Sequence, residues 1–166
     1  MREVVFALQG WLPRVVRDDG GDLLLEVAGG ADALHDPRTF TFPVREHDVA
    51  AMRGSLPRHV LLHAALLPLC EAAGIRDPID AHAAATLLER ILLGSQGEVD
   101  TLFERTRWNA LHLIAHGANV ELLEQGRFLA SAQSAHAASH WGLARAYDAQ
   151  RDRAEPLMGT PRWLAR

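Results

Sequence analysis

Near Val44 the spacing of apolar residues changes from every second position to one face of a 3.6-residue turn, and a chain satisfies both periods by setting a sheet against helices. Before the change, residues 3–8 and 12–17 read as strands, with β-branched valines and no helix-start residue. Asp18-Asp19-Gly20-Gly21 supplies residues that tolerate positive φ, so residues 22–27 return as an antiparallel partner. Residues 39–44 alternate small polar and aromatic side chains, which turns Phe40 and Phe42 to the core. Pro43 cannot donate to a ladder, so this strand lies at an edge or ends there.

After the change, helices are expected over residues 46–53, 56–73, 80–93 and 98–116, with a short turn of helix reaching Gln125 and a last helix over 127–150. Asp80 is a capping residue for the third, Pro68 kinks or divides the second, and Gly74, Gly117 and Gly126 break the chain. The fold class is α+β: a small N-terminal antiparallel sheet of three or four strands packed on a C-terminal bundle of four or five helices. A length of 166 residues suits a single domain. Within it, 1–44 form the sheet portion, 45–150 the helical portion and 151–166 an irregular tail, in which Trp163 and Leu164 dock onto the body.

Composition removes several function classes. All 17 basic residues other than histidine are arginine, so lysine Schiff-base chemistry, pyridoxal phosphate attachment and a P-loop are excluded for this chain. Its Ala, Arg and Gly usage points to a GC-rich bacterial genome. No stretch of about 18 uncharged apolar residues exists, so no membrane span is expected. The first residues do not read as a signal peptide. One cysteine, Cys70, permits neither an internal disulfide nor a multi-cysteine zinc site, and a cytoplasmic location is the expectation. The net charge is −4 and the arginines are scattered, which argues against nucleic acid as a partner. The local excess of Arg151, Arg153, Arg162 and Arg166 reads as a solvated tail.

The most unusual feature is that the 9 histidines include three i,i+4 pairs: His59 with His63, His112 with His116, and His136 with His140. One helical turn puts both imidazoles of a pair on one face, which is how two ligands reach one metal ion. Projected at 100° per residue, His136 and His140 fall on the apolar stripe of Leu129, Ala132, Leu143 and Tyr147 and point inward. His59 and His63 lie at the margin of the Leu62, Leu66 and Leu69 face and are expected to be half buried. If the two helices face each other, His59, His63, His136 and His140 form a four-imidazole site for a transition metal such as zinc. Against it stands the plainer reading of core histidines bonded to carbonyls, because no His-Glu-x-x-His or Glu-x-x-His motif accompanies the pairs.

On a continuous helix over 98–116, His112 and His116 lie opposite the stripe of Val99, Phe103, Ala110 and Ile114, beside Arg105 and Trp108. This face is expected to meet solvent or a partner, and a large aromatic outside the core stripe is often part of a binding surface. Residues 110–120 resemble the helix end and turn of an ankyrin repeat. The likeness covers 11 residues, and neither spacing nor the strand-rich start suits a solenoid, so it is a shared helix ending at Gly117. Ser95 lacks the setting of a nucleophile elbow. Cys70 and His63 are seven helical residues, about 10 Å, apart, too far for direct proton transfer.

With no catalytic signature, the chain reads as a non-catalytic binding or regulatory protein, an accessory or immunity-type domain that takes another protein or a small ligand and no cofactor. Its expected binding surface is Arg105, Trp108, His112 and His116. The alternative is a histidine-ligated metal-dependent enzyme or metal sensor.

Overall fold

The computed structural model describes residues 1–7 and 12–137. The expected extension of the first strand to residue 8, the last helix beyond 137, His140, Leu143 and Tyr147 on it, and the tail with its arginines, Trp163 and Leu164 lie outside the described residues.

Four antiparallel strands are laid down in chain order: β1 Glu3–Phe6, β2 Arg14–Arg17, β3 Leu23–Gly29 and β4 Arg38–Val44. The β2–β3 turn forms where its sequence requires it. Asp18 Oδ1 accepts from the backbone N–H of Gly20 and of Asp22, both at 2.9 Å, and Gly21 takes φ 92°. Register then aligns one apolar row across all four strands, Phe6 with Val15, Val15 with Leu25 and Leu25 with Phe42. These four side chains are buried. Phe40 is buried beside them and Pro43 sits in an edge strand, as the alternation and the missing N–H imply. On the opposite face Glu26 is bracketed by Arg2 Nη1 and Arg14 Nε, each at 2.7 Å.

Seven helices follow among the described residues: α1 Glu46–Gly54, α2 Leu56–Ala73, α3 Ala81–Leu93, α4 Gln96–Arg105, α5 Ala110–Ala115, α6 Val120–Glu124 and α7 Phe128–Ala137. Capping chemistry sets their starts. The side chains of Ser55, Asp80, Ser95, Asn109 and Asn119 each accept a backbone N–H from the first turn. Ser95 and Glu98 form a reciprocal capping box, which accounts for the loop serine. Gly74, Gly117 and Gly126 take positive φ where helices end.

The buried α2 is the spine of the molecule. It packs against α1, α3, α5, α7 and β3, and Leu61, Leu62, Ala64 and Leu66 are fully buried. A helix that is apolar on nearly every side has neighbours on nearly every side. Pro68 neither divides nor ends it, because α2 continues to Ala73.

One expectation fails here. The single helix over 98–116 is two helices, α4 and α5, separated by residues 106–109. Thr106 and Asn109 are extended, with ψ of 146° and 100°. Asn109 is a strong N-cap residue and starts a new helix instead of continuing the old one. The described residues hold seven helices where four or five were expected.

Candidate functional site

The break between α4 and α5 decides where the expected site residues go. Asn109 N–H donates to the Ala64 carbonyl of α2 at 2.9 Å, and Asn109 Oδ1 accepts from His112 N–H at 2.9 Å. The start of α5 is thereby bonded to the spine. The phase carried over from α4 is lost at the extended residues, so the face projected from Val99 and Phe103 no longer applies to residues 110–116.

Several expected placements are corrected by it. His112, expected to meet solvent, is buried, and Leu113 beside it is fully enclosed. Ile114, expected on the core stripe, is 46% exposed, and Leu111 is 79% exposed. His116 is half-buried. Trp108 is also half-buried, its ring 5.2 Å from that of Phe128 and 6.1 Å from that of Phe103, so the indole is a flank of the core and not a projecting patch. Arg105 alone of the expected binding residues is exposed.

In place of that surface an interior imidazole cluster forms between α2 and α5. The rings of His63 and His112 lie 4.4 Å apart, edge to face at 80°. His112 and His116 are also 4.4 Å apart, at 52°, and His116 Nδ1 sits 2.8 Å from the His112 carbonyl oxygen. His59, one turn before His63, packs its ring against Phe6 of β1 at 5.5 Å. His59 and His63, expected to be half buried, are 0% and 2% exposed.

Burial is the main reason these imidazoles resist protonation. It pushes His59 down to about 4, with the Pro13 carbonyl opposing and His116 assisting. His63 falls to about 2 through burial and then through the neighbouring His112, His59 and His116. His112 falls to about 3 through burial and His116, opposed by the Val60 carbonyl. At neutral pH these three are uncharged.

A comparison with protein-family models matches residues 1–160 to DUF6357, a family of unknown function. The chain belongs to the DUF6357 family. No curated protein and no solved structure matches it. The family match runs through the sheet and all seven described helices of this DUF6357 protein, so every imidazole of the cluster lies within it.

The DUF6357 chain assembles no metal centre among the described residues, where no group of three or more His, Cys, Asp or Glu is placed to hold an ion. α2 does pack along α7, the pairing that the four-imidazole expectation needs. The side chain of His136 and the whole of His140 lie outside the described residues. Cys70 is buried and its thiol is pushed up to about 12, chiefly by burial, which leaves almost no thiolate at neutral pH. Among the described residues no helix is long and apolar enough to cross a membrane.

Neither the buried cluster nor the exposed leucine was readable from helix projection. The signal that could have exposed both is Asn109, whose side chain favours a helix start three residues before His112.

Proposed function

We propose that this is a non-catalytic cytoplasmic binding protein, a regulator or an accessory or immunity-type partner, that docks another protein through the outward side of α5. The observation that carries the reading is the inversion of α5: Leu111 and Ile114, one helical turn apart, are exposed at 79% and 46%, while the polar His112 is buried. Adjacent large apolar side chains on a surface favour association, whereas isolated ones carry no such meaning. Val120 at the start of α6 is exposed as well, at 48%, and Arg105 at the end of α4 supplies a charged neighbour in sequence. The net charge of −4 supports a protein partner over nucleic acid. Trp108 enters as a flank of the core, against Phe103 and Phe128, and not as the contact itself.

The test is a double variant, Leu111→Asp with Ile114→Asp, used as bait beside the wild type in extracts of the native host. The expected outcome is loss of a captured protein, with the purified partner titrating onto wild type and not onto the variant, at an unchanged melting temperature. Capture that is indifferent to both substitutions would end the reading.

A further inference from the structure

The end of β4, the first turn of α1 and the middle of α3 line a cleft of about 290 Å³ whose wall contains no residue of α5. A single residue, Arg45, joins β4 to α1, so the strand end and the third helical position, Asp48, come to the same place, and α3 packs against both elements. Much of the wall is apolar, with Pro43 and Val44 from β4 and Leu88 from α3. Two carboxylates join them, Asp48 of α1 and Glu89 of α3, and Arg45 is the cation beside them. Apolar wall with a few converging charges is the usual make-up of a small-molecule site.

Asp48 is the unusual group. It is 4% exposed, and its Oδ2 accepts the Arg45 backbone N–H at 2.8 Å and the Arg45 Nε–H at 3.4 Å. Its Oδ1 is buried and takes no hydrogen bond, with the ring Nε2 of His47 standing off at 3.4 Å. A carboxylate has about four acceptor positions, and a buried one left open costs stability that a donor would restore. The His47 ring is exposed and can turn away from Oδ1 on the timescale of side-chain rotation.

We propose that this cleft binds a small organic ammonium ion, its N–H groups on the Asp48 and Glu89 carboxylates and its alkyl stem against Pro43, Val44 and Leu88. The charges favour a cation over an anion. Two carboxylates face one guanidinium, and that guanidinium is already drawn to Asp48. The helix N-terminus is no anion site here, because Glu46 and Asp48 fill the first turn of α1 and Asp48 takes the Arg45 N–H. Glu46 itself pairs with Arg17 at 3.3 Å. The cleft is independent of the α5 surface, so either can fail without the other.

Amide shifts of the full chain, titrated with n-butylammonium chloride, read the site directly. Residues 44–49 and 85–90 should shift together and saturate with a Kd of about 1 mM, in keeping with so few ligand atoms. Butanoate, with the opposite charge, and neutral 1-butanol should bind at least about tenfold more weakly. Asp48→Asn keeps an oxygen for the Arg45 N–H and should weaken butylammonium about tenfold. Glu89→Arg, at an exposed position, should weaken it about threefold and keeps the test decisive if Asp48→Asn fails to fold. A response that is scattered or does not saturate, butanoate binding as tightly as butylammonium, or undiminished affinity in a folded variant would overturn the proposal.

Discussion

α2 carries two histidines four residues apart and α5 carries His112 with His116 as its C-cap, yet the two helices acquire their orientation by different means. α2 has 18 residues and five turns of mostly apolar side chains, enough for nearly every one of its faces to find a neighbour. Its histidines are enclosed because most of the helix around them is. α5 has six residues, less than two turns, and its direction comes from a cap and one backbone bond to α2. The long helix carries its environment in its own sequence, and the short one takes its environment from a neighbour. That difference explains how a turn of helix can bury a histidine and expose a leucine.

The largest test of the comparison is pH. Burial lowers the proton affinity of His59, His63 and His112 to about 4, 2 and 3 in the folded protein. Above about pH 6.5 the three are neutral in both states, and their full contribution to stability is present. Below that value the unfolded chain binds protons that the native one refuses, so stability falls as the pH falls. The loss is about 1.4 kcal/mol per group per pH unit, or about 4 kcal/mol for the three between pH 7.5 and 5.5. Urea unfolding at those two pH values checks it, and equal unfolding free energies would show that the imidazoles are not enclosed.

Next in size is the contrast between leucines. Leu62→Ala in α2, at 0% exposure, should cost about 3 kcal/mol through lost burial and the cavity left behind. Leu111→Ala in α5, at 79% exposure, should change stability by less than about 0.5 kcal/mol. Thermal melts of the two variants side by side give the answer, and comparable losses would mean that α5 is packed as α2 is. A smaller loss than that of Leu62→Ala belongs to the cap: Asn109→Ala should cost about 1 kcal/mol. Amide exchange should place the loss in residues 110–115 ahead of the rest of the chain, and a loss spread evenly would deny α5 its separate anchoring.

Much of the architecture was legible before any coordinates. The turn at Asp18-Asp19-Gly20-Gly21, the edge strand with Pro43, α2 over Leu56–Ala73 and the Asp80 cap of α3 all stand where their residues imply. These are local properties: positive φ, a missing N–H, an accepting side chain and a period of two or 3.6 residues. The candidate site was far less legible. His59 and His63 were placed near the core, but their contact with His112 joins residues 49 positions apart in sequence and depends on how α5 enters.

The chain by itself determined the α+β class, the place where sheet gives way to helix and the residues that open most helices, because each follows from short-range sterics and hydrogen bonding. Only the tertiary structure decided which side of α5 is inside. Six residues make no stripe long enough to choose a face, so the choice passed to the Asn109–Ala64 bond and to the burial of Leu113 in the core.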